Sequence, residues 1–551
     1  MKIEEYSKNA AENYLQTAVF VDDEIYERPK RVSVSTAVRI TKSRKPASKK
    51  VAAKKALGTK TLSPPKEPTG GTLSSYDLLN SFAKKRIVCS LYEPQKGQKY
   101  SRRSDAYLLC LSADIVIVDW VIHDERGEHS LELIENLVKQ SIEDEPEQLR
   151  LILVYTAEVN LLQIADRVYE RMPESAIPQK NDGGLAIHTE NTRIVVLGKP
   201  GLSRSEEYKD YVVEAKDLAT KAIAEFTKLA NGLLQGTVLQ GLAEIKKNAR
   251  KILTRFSSDL DPAFLTHRAL MLPHEEATEH LVPLISSEIE AVLRDCMDSN
   301  LKNTALLDDW CDRWTPQRHA KAFMKNGESP NDFAKTFVSR GPEVHTSFPK
   351  TVPKKRINDK DGEKVWNVRG DYLRKLSRFL ESTDSDRGPQ ALSELMSYRT
   401  QYSGDRVLRF GTIVRSLSNS EYFLCIQPIC DSVRLSEVTA FPFLKLQAIE
   451  NPDQAVSFSL TDSKKTVSLQ ASYKPSNLWI RSFAPTSGLV KANLDTEGGA
   501  EFHFEDSEGE NYKWLSELRF AQAQREVSRL ASEMSRVGLT ESEWQRLCAK
   551  R

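Results

Sequence analysis

The sequence predicts a multidomain protein: an α/β domain with a doubly wound, five-stranded parallel sheet, then a helical region, then a small all-β domain with a C-terminal helix. Apolar runs alternate with amphipathic helical patterns up to about residue 204. Apolar residues then recur at helical spacing, and short alternating segments typical of strands follow from residue 401. At 551 residues the chain is also too long for a single core.

Five apolar, β-branched runs predict the strands of the first domain, residues 1–204. Such runs are typical of strands that are covered on both faces. They lie at residues 16–21, 86–92, 114–119, 150–155 and 193–198. Amphipathic helical patterns lie between them, for example SLELIENLVKQSI at 130–142. Strands separated by helices of this length form βαβ units, which predicts a parallel sheet.

After residue 204 the spacing of apolar residues changes twice, first to a helical pattern and then to the alternation typical of strands. Residues 205–400 are predicted to be helical, beginning with one long amphipathic helix over 205–235. Residues 401–513 contain short strand-like segments at even spacing, which predicts a small barrel or sandwich. Residues 514–551 are predicted to form a C-terminal helix.

A basic segment interrupts the first domain after its first strand. Residues 28–60 hold 12 lysines and arginines and no acidic residue, so the net charge of +2 conceals an acidic remainder of the chain. A Pro/Gly-rich stretch follows, and we predict that residues 28–71 form a disordered insertion, because they bury too little apolar surface to fold. The segment is either a solvated linker or a contact for nucleic acid or an acidic protein surface.

Composition narrows the class of protein. Seven scattered cysteines indicate reduced thiols, and no apolar run approaches the length of a membrane span or of a signal-peptide core. We therefore expect a cytoplasmic protein. No glycine-rich phosphate-binding loop follows the first strand, which argues against nucleotide binding in this domain.

Polar side chains stand where four of the predicted strands end. Asp22 and Asp23 follow the first strand, Asp119 ends the third, Thr156 follows the fourth, and Lys199 follows the fifth. The carboxyl ends of parallel strands meet at one edge of the sheet, where ligands bind. Three carboxylates at one edge favour a hard cation such as Mg²⁺. A lysine and a hydroxyl beside them suit a phosphoryl group.

These motifs resemble the receiver domain of two-component response regulators. The resemblance rests on FVDDEI, ADIVIVDWVIHDERGEHSLELIENL, LILVYTA and IVVLGKP, which occur in the expected order over about residues 14–204. It implies a receiver-like, flavodoxin-like fold for this part of the chain.

The resemblance also implies a role for each of these residues. Asp119 would accept a phosphoryl group from a phosphohistidine, and Thr156 and Lys199 would contact that group. Asp22 and Asp23, with Asp119 and the backbone carbonyl of Val121, would hold Mg²⁺ as the cofactor.

The implied partners are a histidine kinase or phosphotransfer protein and a downstream effector protein. The implied activity is limited to autophosphorylation from a phosphodonor and self-dephosphorylation, in a phosphorelay that acts in bacterial stress or antiviral defence. No membrane partner is expected.

Two positions depart from the family pattern. Val196 stands where receivers usually carry an aromatic switch residue, three positions before the lysine. After the acceptor, His123, Asp124 and Glu125 replace the usual turn and are expected to alter the rate of phosphoryl loss.

Three alternatives stay open from the residues alone. The strand-end residues could be caps and turn formers of another doubly wound domain. The chain could be a DNA-binding regulator that contacts nucleic acid through residues 28–60, a partner that the acidic remainder disfavours. Cys430 and Asp431 could mark a cryptic enzyme in the β domain.

Overall fold

The computed structural model describes most of the chain, with gaps. The described residues are 2–25, 75–123, 126–143, 148–270, 281–300, 304–316, 329–341, 354–359, 362–367, 379–381, 387–400, 402, 404–449, 456–462, 465–495 and 501–535. The predicted insertion 28–71 lies outside these residues, as do Asp124 and Glu125. Two compact units are present: Met1–Pro316 with Ala320–Gly370, and Gln317–His319 with Asp371–Arg551.

A seven-stranded mixed sheet forms the centre of the first unit. Its strands are β1 (Thr17–Val21), β2 (Val88–Tyr92), β3 (Ile115–Val118), β4 (Arg150–Thr156), β5 (Gln179–Asn181), β6 (Ala186–His188) and β7 (Thr192–Gly198). The sheet order is β2-β1-β3-β4-β7-β6-β5. The five predicted strands correspond to β1 to β4 and β7, and all pair in parallel. The predicted fold class is therefore confirmed, and the antiparallel hairpin β5–β6 widens the sheet.

Helices cover both faces of this sheet. They are α1 (Ile3–Tyr14), α2 (Ser75–Lys84), α3 (Asp105–Leu111), α4 (Glu128–Glu143), α5 (Leu161–Arg171) and α6 (Leu218–Leu229). In β3, Val116 and Val118 join the core with α3, α4 and α5, whereas Ile115 and Ile117 join the core with α1, α2 and α6. Both faces of the strand are thus apolar, because successive side chains point to opposite faces.

The helical region continues the first unit. Its elements are α7 (Leu233–Arg255), α8 (Asp261–Leu270), α9 (Leu281–Asn300), α10 (Thr304–Arg313), α11 (Pro330–Arg340) and the hairpin of β8 (Lys354–Asp359) and β9 (Gly362–Asn367). The single long helix predicted over 205–235 is wrong. Its first part forms short 3-10 turns, and Gly232, whose backbone is extended, separates α6 from α7. Glycine favours such a break because fixing its flexible backbone in a helix costs more conformational entropy than for other residues.

The second unit contains a nine-stranded antiparallel sheet, with one helix before its strands in the sequence and one after them. It comprises α12 (Arg387–Ser397), β10 (Thr412–Ser416), β11 (Tyr422–Cys425), β12 (Thr439–Ile449), β13 (Phe458–Asp462), β14 (Lys465–Ala471), β15 (Leu478–Phe483), β16 (Asn493–Asp495), β17 (Glu501–Glu505), β18 (Asn511–Glu517) and α13 (Phe520–Met534). The all-β domain and a helix after it are confirmed, and residues 536–551 of the predicted helix lie outside the described residues. The helix begins at Phe520 rather than Trp514, because residues 511–517 form β18 between β10 and β17.

Within the described ranges, none of the helices combines the length and the apolar character that crossing a membrane requires.

A buried ion-pair network ties the added hairpin to the sheet and to α6. Arg193 of β7 donates to Oε2 of Glu225 in α6, from Nε at 3.0 Å and from Nη2 at 2.6 Å. Arg193 also pairs with Asp182 in the β5–β6 turn. Lys221 and Lys228 contact Oε1 of Glu225 at 3.2 and 3.1 Å. The side chains of Arg193 and Glu225 are almost completely buried, and burying either charge without its partner would be costly.

Replacing Glu225 with alanine should therefore destabilise this part of the sheet. The change leaves the buried guanidinium of Arg193 with Asp182 as its remaining carboxylate, and breaking a buried pair costs about 3–5 kcal/mol. Burial would raise the pKa of the Glu225 carboxyl, but Arg193 and the two lysines hold it below the ordinary value. The stabilisation is thus present at neutral pH and is lost as pH falls through this lowered pKa.

Hydrogen–deuterium exchange of β7 and α6 would measure the effect, with faster exchange expected in E225A. The matched control is E290A in α9, whose partner Arg294 is exposed, and a surface pair contributes at most about 1 kcal/mol. Equal exchange in the two variants would contradict the prediction.

Candidate functional site

Three aspartates converge at the carboxyl edge of the parallel strands. Asp22 and Asp23 directly follow β1, and Asp119 directly follows β3, whose last residue pairs with the last residue of β1. The backbone amide of Asp119 donates to the carbonyl of Val21 at 2.9 Å, which continues this pairing. One carboxylate oxygen from each aspartate lies within 4.8 Å of the others. Adjacent parallel strands thus bring together residues that are distant in the sequence.

Lys199 enters this group from β7. Its Nζ lies 3.2 Å from Oδ2 of Asp22 and 3.0 Å from Oδ1 of Asp119. All three side chains are buried or nearly so. The ring of Tyr155, on β4, lies 5.7 Å from the ammonium group and forms part of the apolar wall on that side. The structure therefore places one cation among three carboxylates.

The charge balance of this site leaves an excess of negative charge. Burial raises the pKa of Asp119 to about 7; Lys199 opposes this shift, and Asp22 and Asp23 add to it. Burial alone would lower the pKa of Lys199, but Asp119 and Asp22 outweigh it and hold that pKa above its ordinary value. The lysine is thus firmly protonated, and a single ammonium group is left to balance three acidic side chains.

The same site contains a buried carboxylate oxygen whose hydrogen bonding is incomplete. Oδ1 of Asp119 is buried and has an ion-pair contact with Lys199, yet it accepts no hydrogen bond of normal geometry from the residues that the structure describes. A buried oxygen of this kind is costly unless a further positive group satisfies it. Three hard oxygen donors with one unsatisfied atom fit a divalent cation such as Mg²⁺.

Backbone contacts orient the two loops that carry the aspartates. The buried hydroxyl of Ser130, in the first turn of α4, donates to the carbonyls of Asp119 and Trp120 at 2.6 and 3.1 Å. The backbone amide of His123 donates to Oδ2 of Asp23 at 2.8 Å, and its ring Nδ1 lies 3.2 Å from the same oxygen. His123 also adopts a left-handed backbone, with φ of 57°.

Thr156 lies on the neighbouring strand, beside Lys199. Its carbonyl accepts a hydrogen bond from the amide of Lys199 at 2.6 Å, and its hydroxyl accepts one from the amide of Glu158 at 3.1 Å. The side chain of Thr156 is fully buried. The structure thus places all five predicted strand-end residues at one edge of the sheet, with Asp22, Asp119 and Lys199 in direct contact.

Arg204 connects the ends of β4 and β7. Its guanidinium donates to the carbonyls of Lys199 at 2.5 Å, Glu158 at 2.8 and 3.1 Å, and Thr156 at 3.4 Å. It crosses over Gly198, where an added Cβ would lie 2.8 Å from the guanidinium carbon. A glycine at this position therefore leaves room for the arginine.

The remaining predicted positions lie around this group. The half-buried side chain of Val121 packs against the core beneath the site, and the role of its carbonyl stays a prediction. Val196 is fully buried; it pairs with Val154 of β4, and its amide donates to the carbonyl of Leu185. Cys430 and Asp431 are exposed on a 3-10 turn of the second unit, away from the aspartates in sequence and in a separate compact unit.

Ser130 and Arg204 were missed by reasoning from the sequence. Both act through backbone carbonyls, and a serine near a helix start or an arginine in a loop has no distinctive pattern. The sequence signals them only by position: Ser130 follows the third predicted strand, and Arg204 follows the fifth.

A family model described as the response receiver domain matches residues 14–204. No curated protein and no solved structure is significantly similar to the chain. Receiver domains are the phosphoacceptor domains of response-regulator signalling. The resemblance predicted from the sequence is therefore confirmed, and residues 14–204 form the response receiver domain of this 551-residue chain.

Proposed function

We propose that this protein is a phosphorelay component that accepts a phosphoryl group on Asp119 and signals that state to a protein partner. The observation that supports this most directly is the contact of Lys199 with both Asp22 and Asp119 at the carboxyl edge of the sheet. That arrangement joins a carboxylate nucleophile, a fixed cation and two further carboxylates in one site.

The proposed reaction is a transfer from a phosphohistidine of a partner to this carboxylate. An oxygen of Asp119 attacks phosphorus, a P–O bond forms, and the P–N bond to the imidazole breaks, with its electron pair returning to nitrogen. The product is an acyl phosphate, which water hydrolyses with return of the free carboxylate. The chain would act as a phosphoacceptor with self-dephosphorylation, rather than as an enzyme on another substrate.

Asp22, Asp23 and Asp119, with the carbonyl of Val121, would hold Mg²⁺ at this site. When bound, the ion would neutralise charge on the transferred phosphoryl oxygens. Asp22 and Asp23 suit this role because their own bonds fix them: the amide of Glu24 donates to Asp22 Oδ1 at 2.8 Å, and His123 contacts Asp23.

Lys199 and Thr156 would bind the phosphoryl group. Lys199 is held beside Asp119 by two carboxylates, so its ammonium group is already directed at the acceptor. An anionic phosphoryl oxygen would gain a charge-assisted hydrogen bond there. The hydroxyl of Thr156 would contribute a neutral donor from the adjacent strand, and can donate while it accepts from Glu158.

Arg204 would position these two residues without contacting the phosphoryl group. Its hydrogen bonds hold the carbonyls of Thr156 and Lys199 on neighbouring strands. Fixing the backbone on both sides limits the movement of the two side chains, and small displacements of such groups slow a reaction strongly.

The proposed partners are proteins. A histidine kinase or phosphotransfer protein would supply the phosphoryl group, and an effector would read the phosphorylated state in the cytoplasm. The setting we propose is a bacterial stress or antiviral defence system.

Replacing Asp119 with asparagine should abolish phosphoryl transfer, because an amide cannot act as the carboxylate nucleophile. Acetyl phosphate with Mg²⁺ should label the wild-type chain, as measured by intact mass spectrometry, and should leave D119N unlabelled. The matched control is D166N on α5, whose exposed carboxylate pairs with Lys180 and should label like wild type. Equal labelling of D119N and wild type would overturn the proposal.

Replacing Asp22 or Asp23 with asparagine should weaken Mg²⁺ binding by at least about tenfold, since even the loss of a ligand's supporting partner costs about that much in metal sites. Isothermal titration with MgCl₂ measures the affinity, and chelation with EDTA should stop labelling of the wild-type chain. D166N again serves as the control. Unchanged Mg²⁺ affinity in both D22N and D23N would contradict the assigned site.

Replacing Arg204 with alanine should slow labelling by about tenfold or more while Mg²⁺ affinity stays at the wild-type value, because Arg204 touches no carboxylate of the site. G198A should reproduce the effect by displacing the guanidinium. R204K should resemble R204A, since a lysine cannot donate in the same plane to several carbonyls.

K209A, in the same loop and highly exposed, is the control for this series. A parallel fall in Mg²⁺ affinity would indicate general damage to the site instead of a positioning role.

A further inference from the structure

A cavity in the second unit combines basic and aromatic side chains. It has a volume of about 220 Å³ and lies between β18 and the described residues just before β10. Its walls include Arg399, Tyr402, Arg406, Arg409, Trp514 and Glu517. Cavities that enclose drug-sized ligands are larger, at about 300–1,000 Å³, so this one fits a small molecule.

The carboxylates that line this cavity are already engaged. Glu517 pairs with Arg409 at 2.9 Å and lies 3.6 Å from Arg399. Asp405 pairs with Lys491 at 2.9 Å. Both acidic groups therefore already have basic partners.

Arg406 is the further cation. Its guanidinium carbon lies 4.7 Å from the ring centres of Tyr402 and Phe502 and 5.0 Å from that of Trp514. Its Nη1 donates to the carbonyl of Gly404 at 3.0 Å. Among the described residues, no carboxylate forms an ion pair with Arg406, and its buried Nε has no hydrogen-bond partner.

Aromatic rings stabilise a guanidinium through their faces but supply no hydrogen-bond acceptor in its plane. Burying the Nε donor without an acceptor is unfavourable. A planar cation held rigidly by three rings is also well prepared to bind an oxyanion through parallel hydrogen bonds. Arg406 thus lacks a carboxylate partner among the described residues, and the cavity that it lines has room for an anion.

We propose that this cavity binds a small molecule through a phosphate or carboxylate group that Arg406 engages. Arg399 and Arg409 add basic groups at the same wall, and the rings of Tyr402 and Trp514, which contact each other edge to face, form its apolar part. The β domain then has a ligand-binding function that does not depend on the receiver site.

Isothermal titration of the full chain with inorganic phosphate and with succinate tests this proposal, against chloride at equal ionic strength and without Mg²⁺. The two arms identify whether phosphate or carboxylate is preferred. We expect saturable binding of at least one, reduced at least about tenfold in R406Q, the loss expected for a hydrogen bond to a charged group.

Two controls assign the binding to the cavity. K199M removes the cation of the receiver site, so binding that persists in K199M does not arise there. R481Q removes another arginine of the same unit that stacks on a tryptophan, 4.0 Å from the ring of Trp479, and should bind like wild type.

Absence of saturable binding by both anions, or equal affinity in R406Q and wild type, would overturn the proposal. If R406Q does not fold, the anion affinity of R406K is measured instead, because this variant keeps the positive charge but loses the planar guanidinium group. Affinity in R406K equal to that of wild type would likewise overturn it.

Discussion

Mutual repulsion of buried carboxylates is the constraint around which the first unit is arranged. Asp22, Asp23 and Asp119 meet because β1 and β3 are adjacent and parallel, and the fold keeps them there although their charges disfavour it. Lys199 offsets part of this cost, and the apolar strands beneath hold the strand ends in place. A site built in this way has an excess of acidic groups over basic ones, which suits a divalent cation with oxygen ligands.

Much of this site could be predicted because it depends on topology. Apolar runs identify buried parallel strands, and the carboxyl ends of such strands meet at one edge, so Asp119 and Lys199 could be placed together from their positions alone. The hairpin β5–β6 could not be predicted in the same way. Its strands are three residues long, and β5 is polar and exposed, so neither has a periodic apolar pattern. Residues 514–517 of β18 fall within the predicted C-terminal helix, because a short strand beside a helix gives an ambiguous periodicity.

Val196 is fully buried at the position where receivers usually carry an aromatic residue. β6 pairs with Arg193 to Val195 of β7, and the amide of Val196 donates to the carbonyl of Leu185, the residue before β6. The side chain of Val196 belongs to the core that includes α5, and it has no ring that could change its orientation. The same pairing brings the β5–β6 turn to Arg193, which is bound to Glu225 of α6. The edge that is a surface in a five-stranded sheet is here an internal junction with a buried ion-pair network.

If Asp119 is phosphorylated as proposed, we expect the response to leave the site by contacts other than a ring at position 196. One such set of contacts belongs to Arg204, which donates to the carbonyls of Thr156, Glu158 and Lys199. If Thr156 and Lys199 move toward a phosphoryl group, the carbonyl positions that this guanidinium binds change with them. Arg204 must then follow or lose hydrogen bonds, and the loop leading to α6 moves with it, since Val213 of that loop is bound to Tyr155 of β4 and to Gly198 of β7. A clamp with several backbone acceptors suits such coupling because it converts a small displacement at two strands into the loss or gain of discrete bonds.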